Sequence, residues 1–245
     1  MIRRGGPRWA DLVLLAAVAV VSAACAAVVF GRRDVAVSGL STIMAKVPHP
    51  MREQRPGSSR QLPPGQYETV KWPVLHYGTV PRFDPARWDF RVFGEVETPV
   101  RLTYQEFMAL PKTTLTCDIH CVTAWSKFAV TFEGVPAGAV LDLARVKPSA
   151  KFVMVHAEQG YETNLPLLYL QAPDALFAHR VDGADLTPEH GWPLRLVVPR
   201  LYFWKSAKWV RGLELMAQDR RGFWERNGYH NHADPWKEER YADPW

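Results

Sequence analysis

The segment Thr116-Cys117-Asp118-Ile119-His120-Cys121-Val122-Thr123-Ala124-Trp125-Ser126 gathers two of the chain's three cysteines beside a histidine and a carboxylate. It follows the run Thr113 to Thr116, which reads as a strand. A thiolate is a nucleophile, a metal ligand or one half of a disulfide, whereas a protonated thiol is a small buried hydrophobe. Residue types alone leave these readings open. A structural zinc site needs four ligands, usually as two spaced pairs. Cys117, His120 and Cys121 have no second pair downstream, and His230 and His232 could join them only if the fold brought them there. A thiol enzyme needs a base for Cys121, and any distant histidine could serve, so that reading has little specificity.

A second constellation is cationic. Arg195, Lys205 and Lys208 flank the turn after Pro199, with Ser206 between the lysines. Such side chains usually face solvent, but these lie among Leu201-Tyr202-Phe203-Trp204 and Trp209-Val210, where an unpaired ammonium is costly. Cations and a hydroxyl in an apolar setting point to a buried anion such as a phosphate.

The hydrophobic pattern outlines the elements that must hold these groups. Trp88 to Gly94 alternates apolar and polar like a half-buried strand ending in a turn glycine. Thr103-Tyr104-Gln105-Glu106 is a capping box that opens a short helix, which should stop before Pro111. Pro136 starts a second helix through about Val146, with Val140, Leu141 and Ala144 on one face. Lys151–Ala157, Ala175–Val181, Leu194–Val198 and Lys208–Met216 read as strands. Short strands with only small helices between them, and no regular βαβ alternation, predict an α+β fold with a mixed sheet. The stretch from Gly222 to Trp245, rich in aromatic and charged residues, is expected to wrap over the domain, because so many exposed tryptophans would be a liability.

The net charge of +5 divides unevenly. Residues 1–60 hold nine Lys+Arg against three Asp+Glu, and residues 61–245 hold 21 against 22. A nucleic-acid binder needs a basic face on its folded domain, so the near-neutral body argues against that class. The basic excess instead flanks Ala10 to Phe30, 21 residues with one charge, Asp11, at the edge. At about 1.5 Å per residue this run crosses a hydrocarbon core of roughly 30 Å. It is longer than the apolar region of a usual signal peptide, which favours a retained membrane anchor over a cleaved leader. The layout expected is a basic segment 1–9, a transmembrane helix 10–30, a linker 31–61 rich in Pro, Arg, Ser and Gly, and a folded domain 62–245. The arginines on the two sides of the span are nearly matched, so they do not assign the side on which the domain lies.

A soft thiolate with a separate anion pocket on a mixed-sheet domain is what a molybdenum–pterin site requires. His190-Gly191-Trp192-Pro193-Leu194-Arg195-Leu196-Val197-Val198-Pro199, then Lys205-Ser206-Ala207-Lys208-Trp209, resembles the pterin-binding segment of the sulfite oxidase family. Val181-Asp182-Gly183-Ala184-Asp185-Leu186 is similar too, and His120-Cys121-Val122-Thr123-Ala124-Trp125-Ser126 resembles that family's molybdenum-ligand loop. The resemblance implies a sulfite-oxidase-type molybdopterin-binding domain that performs two-electron oxygen-atom transfer. It implies one pterin dithiolene and the Cys121 thiolate on the metal. His120, Thr123, Asn164, His190, Arg195, Lys205, Ser206 and Lys208 become cofactor-binding residues by position. Tyr161, in Gly160-Tyr161-Glu162-Thr163-Asn164, matches the family's active-site tyrosine.

Sulfite oxidases carry arginines shortly after the ligand cysteine, where this chain has Trp125 and Ser126, which argues against sulfite as substrate. The loop is closer to that of the bacterial methionine-sulfoxide reductase branch, although Thr123 stands where that branch has an acidic residue. The resemblance therefore implies a sulfoxide or another small substrate, and a separate electron-transfer protein as partner. Two other classes account for parts of the pattern: a thiol-dependent enzyme without metal, and a membrane-tethered binding or assembly module of the same fold. Molybdenum content separates the first from the cofactor reading, and the effect of Cys121→Ser on redox turnover separates the second.

Overall fold

Pairing between segments far apart in the chain builds the domain. The computed structural model describes residues 61–242, within the unit Met51–Trp245. The apolar run 10–30, the segment 1–9 and all but the last residue of the expected linker lie outside the described residues. Among the described residues no helix is long and apolar enough to cross a membrane.

The strands are β1 (Tyr67–Glu68), β2 (Asp89–Gly94), β3 (Val100–Thr103), β4 (Thr113–His120), β5 (Trp125–Pro136), β6 (Phe152–Ala157), β7 (Glu162–Pro166), β8 (Leu176–Val181), β9 (Ala184–Asp185), β10 (Arg195–Val197) and β11 (Val210–Met216). The helices are short: α1 (Tyr104–Ala109), α2 (Ala137–Ala144), α3 (Leu167–Gln171) and α4 (Phe223–Arg226). One sheet runs in the order β1-β5-β8-β10, with β4 also on β5 and β9 on β8; the other runs β3-β2-β11-β6-β7. β1 pairs parallel with β5, and β2 parallel with β11; the remaining pairs are antiparallel. The result is the mixed-sheet α+β architecture that the pattern of short strands predicts.

The capping box forms as expected, with Thr103 accepting from the Glu106 backbone and Glu106 accepting from the Thr103 backbone. Pro136 begins α2, whose buried residues are Ala137, Val140, Leu141 and Ala144. Strand β5 is the longest at 12 residues, and its Phe128, Val130 and Phe132 point inward at period two.

The first sheet carries a core on each face. Val135, Phe177 and Leu196 belong to one cluster with Phe90, Phe107 and Leu213. Phe132, Leu176, Ala178 and Val197 belong to a second cluster with Ile119, Cys121, Trp125, Tyr202 and Trp204. Burial on both faces explains why Leu176–Ala178 in β8 and Leu196–Val197 in β10 are apolar without a break rather than alternating.

Candidate active site

Strands β4 and β5 form a hairpin, and Cys121 opens its turn. The Cys121 amide donates to the Trp125 carbonyl at 2.9 Å, and the Ala124 amide donates to the Cys121 carbonyl at 3.1 Å. Ala124 holds a positive φ of 73° to close this turn, a conformation that costs a non-glycine residue about 1 kcal/mol or more. Cys121 is 9% exposed, and its Sγ lies 3.1 Å from the Thr123 hydroxyl. Burial pushes the thiol pKa up, while the Thr123 hydrogen bonds and the charges of Arg195 and Arg240 pull it back.

The loop between β10 and β11 faces this turn. The Phe203 amide donates to the His120 carbonyl at 2.8 Å. Ser206 closes the loop on itself, its Oγ accepting from the Val198 amide at 2.9 Å. Upstream, Thr187 caps the short 3-10 turn Pro188–His190, and Gly191 follows at φ 115°. A Cβ on Gly191 would lie 3.1 Å from that of Arg195 and 3.2 Å from that of Lys208. Glycine thus lets the backbone pass close beside the two cations.

Arg195 and Lys208, with the His190 imidazole beside them, form a cluster of donors that is poorly compensated within the protein. Arg195 is 3% exposed. It donates to the His190 carbonyl at 2.9 Å and stacks its guanidinium 4.0 Å from the Phe203 ring centroid, but its Nε has no hydrogen-bond partner. Burial lowers the Arg195 pKa to about 9. Burial, reinforced by the Arg195 charge, lowers that of Lys208 to about 7, with Glu189 offsetting it in part. His190 is lowered by burial and by the same two cations, against the raising effect of the hydrogen bond its Nε2 donates to the Trp72 carbonyl. Trp72 stacks on the imidazole with centroids 4.1 Å apart. A buried, partly unpaired guanidinium beside a second cation costs several kcal/mol unless an anion joins it, so the donor set fits a phosphate-bearing group.

Tyr161 lies within electrostatic reach of Arg195. Its hydroxyl donates to the Trp204 carbonyl at 2.8 Å, and burial raises its pKa well above the ordinary value, so it stays protonated. Cys121 in turn acts on Arg195, Lys208 and Tyr229. The structure thus brings Cys121, Thr123, Tyr161, Arg195, His190 and Lys208 to one region.

Four of the expected cofactor ligands have polar groups engaged inside the protein. Lys205 Nζ is fully buried and bonded to the Asn164 carbonyl at 2.6 Å, to the Asn231 carbonyl at 2.8 Å and to Glu225 Oε1 at 2.7 Å. Asn164 Nδ2 donates to Asp219 and Asn231. Ser206 serves Val198, and His120 Nδ1 meets the Ser126 hydroxyl at 2.8 Å. These side chains support the loops that carry the others. The buried anion expected near Lys205 is the Glu225 carboxylate, which also accepts from Thr163 and from the Trp204 indole. An acidic residue inside Phe223-Trp224-Glu225 carries the same signal as Lys205, an ion in an apolar setting. Gln66 and Arg240, which hold the turn itself, carry no such signal.

The C-terminal stretch packs over the second core as far as it is described. The Ala233 carbonyl accepts from the Tyr202 amide at 2.8 Å, and Trp224 and Tyr229 stack. Trp236, by contrast, stays 50% exposed beside His120.

The fold and this chemistry define a class. The family model for the oxidoreductase molybdopterin-binding domain matches residues 77–224, more than half of the chain, and the chain belongs to that family. It is a molybdenum cofactor-dependent oxidoreductase. The chain is 46% identical over 185 residues to the oxidoreductase YuiH of Bacillus subtilis, covering 75% of this chain and 93% of that protein. It is 28% identical to the NADH nitrate reductase of Ulva prolifera, covering 65% of this chain and 22% of that enzyme. It is 25% identical to the protein-methionine-sulfoxide reductase catalytic subunit MsrP of Campylobacter jejuni, covering 58% of this chain and 54% of that subunit. The sulfane dehydrogenase SoxCD of Paracoccus pantotrophus shares the fold at a TM-score of 0.55 and 23% identity, over 62% of this chain and 43% of that one.

Proposed function

We propose that this chain catalyses two-electron oxygen-atom transfer at a mononuclear molybdenum centre, acting on a sulfoxide or another small oxo-substrate. The observation that carries the reading is the donor cluster: the cations Arg195 and Lys208 gather with the His190 imidazole beside the Cys121 turn, and the Arg195 Nε is unpartnered. In this reading Cys121 binds the metal through its thiolate, and the cluster holds the pterin and its phosphate. When bound, the cofactor supplies the two-electron change and the exchange of an oxygen atom.

The protein's own residues do the rest. Arg195 and Lys208 bind negative charge, and that charge restores their protonation. Thr123 steadies the sulfur, and its hydroxyl favours the thiolate. Tyr161 stays a neutral hydroxyl, and to orient a substrate atom it would turn its proton away from the Trp204 carbonyl that holds it in this structure. Trp204 and Phe203, both largely buried, exclude water and so strengthen each of these interactions.

Two observations favour a sulfoxide over sulfite. Trp125 is 4% exposed and Ser126 fully buried, and the Ser126 hydroxyl is engaged with Gln66 and His120. Neither position presents a cation to an anionic substrate. The sulfoxide reductase named above supports the same choice. Electrons then come from a separate carrier protein, and the apolar run 10–30 supports a membrane anchor for the chain.

The test is molybdenum analysis of the detergent-purified full-length protein beside Cys121→Ser, both made in a host that synthesises the cofactor. A reduced viologen dye then drives reduction of methionine sulfoxide, and sulfite oxidation is assayed in parallel with ferricyanide as the electron acceptor. Near-stoichiometric molybdenum with dye-driven sulfoxide turnover, both reduced in the variant, is the expected result. Folded protein without molybdenum would overturn the metal-ligand reading, and turnover of sulfite alone would overturn the substrate.

A further inference from the structure

Two side chains from opposite ends of the domain hold the carbonyls of the Cys121 turn. Gln66 is 5% exposed, and its Nε2 donates to the Cys121 carbonyl at 3.0 Å. Its Oε1 accepts from the Ser126 hydroxyl at 3.1 Å, and that hydroxyl meets His120 Nδ1 at 2.8 Å. The directions are consistent along the whole chain. An Nδ1–H imidazole donates to Ser126, Ser126 donates to Gln66, and the Gln66 amide donates to the residue that carries the thiol. Arg240 approaches from the C-terminal segment. Its Nη1 donates to the Val122 carbonyl at 2.7 Å and its Nη2 to the Pro64 carbonyl at 3.1 Å. Its Nε reaches Glu238 at 3.3 Å, and its guanidinium lies 5.1 Å from the Tyr202 ring centroid.

These ties explain why Ala124 keeps its left-handed backbone. Strain of that kind persists only where the surroundings over-determine it. Here the carbonyls of residues 121 and 122 are each fixed by a side chain, and the Ala124 carbonyl accepts from the Tyr67 amide at 2.8 Å. A turn fixed at three of its four carbonyls, those of residues 121, 122 and 124, has little freedom to re-aim the side chain at its head.

We propose that Gln66 and Arg240 are positioning residues of the metal centre, which set the direction in which Cys121 presents its sulfur. The inference rests on Cys121 being the metal ligand. Neither residue touches the cofactor in this account. Both act through the turn, as outer partners of a metal ligand commonly do.

The test uses full-length protein in a Cys25→Ser, Cys117→Ser background, so that Cys121 is the one thiol. Arg240→Met, Arg240→Lys and Gln66→Met are compared with the parent by molybdenum content, by the electron paramagnetic resonance spectrum of the half-reduced enzyme, and by the iodoacetamide alkylation rate of cofactor-free protein at one pH. Arg240→Met and Gln66→Met should weaken molybdenum retention about 10- to 100-fold, shift the resonance spectrum of the metal that remains, and speed alkylation several-fold. Arg240→Lys should recover part of each change, because an ammonium can still reach the Val122 carbonyl. Unchanged retention, spectrum and alkylation in both variants would overturn the proposal. Should Arg240→Met fail to fold, Gln66→Met and Arg240→Lys decide the matter. A parent protein without molybdenum would defeat the reading of Cys121 as ligand, whereas the alkylation rates would still report whether the turn is held.

Discussion

At the scale of single residues, the ion pairs divide by whether the protein completes them. Lys205 and Glu225 are both fully buried and answer each other at 2.7 Å. Removing one partner strands the other, so Lys205→Met should destabilise the fold by about 3–5 kcal/mol, measured as a loss in urea unfolding free energy. The double variant Lys205→Met, Glu225→Gln should recover most of that loss, because the stranded charge is gone. Arg195 and Lys208 are the opposite case, cations whose completion awaits a ligand. Cys121→Ser keeps nearly the same shape at the head of the turn, so it should leave the melting temperature of the cofactor-free protein within a few degrees of the parent. Its turnover should fall by at least about 100-fold, because a hydroxyl is a poor substitute for a soft thiolate ligand.

At the scale of elements, β5 is the member on which the site depends. It pairs with β1, β4 and β8, and its register on β8 slips between Glu133 and Gly134. A Cβ at Gly134 would stand 2.0 Å from the Phe177 carbonyl oxygen. Gly134→Ala should therefore cost about 2 kcal/mol or more, in line with overpacking of a buried position, read as a lower urea midpoint. It should also loosen the far end of the strand, where Trp125 closes the turn. Local elements were legible in the sequence where a local cause fixes them. Thr103 and Glu106 announce α1, Pro136 announces α2, and the apolar runs around 176–181 and 195–197 announce β8 and β10. β5 itself was not legible as a strand, because its first residues belong to a motif. Nor was the parallel pairing of β2 with β11, which joins residues more than a hundred positions apart. At the site, Cys121 and the cations stood out as chemistry in an apolar setting. Gln66 and Arg240 did not, because a lone polar residue shows its partner only after the chain has folded.

At the scale of the whole molecule, charge links cofactor binding to stability. Lys208 titrates at about 7 in the cofactor-free fold, below the ordinary value of about 10.4 for an unfolded chain. Between those limits the unfolded chain binds more protons at this lysine, so the Lys208 contribution makes the stability of the cofactor-free protein rise with pH from about 7, until above about 8.5 the raised thiols of Cys117 and Cys121 oppose it. Lys208→Met should flatten that rise, and the loaded protein should lack it, because an anion keeps the lysine charged in the folded state. Urea midpoints at pH 6.5, 8 and 9.5 for the three proteins check this. Loading should also raise the unfolding free energy at every pH, by roughly 4 kcal/mol if the free ligand exceeds its dissociation constant a thousandfold.

The ties on the Cys121 turn also set an order in time. The hairpin that carries the thiol can close as soon as residues 113–136 have been synthesised, but the guanidinium that grips the Val122 carbonyl belongs to residue 240. On the ribosome, more than a hundred further residues must emerge before that grip exists. A nascent chain therefore has the sulfur well before it has the frame that aims it. If Cys121 is the metal ligand, a chain that ends short of residue 240 should therefore retain the cofactor less well than the full-length protein, which molybdenum analysis of a C-terminally truncated chain checks.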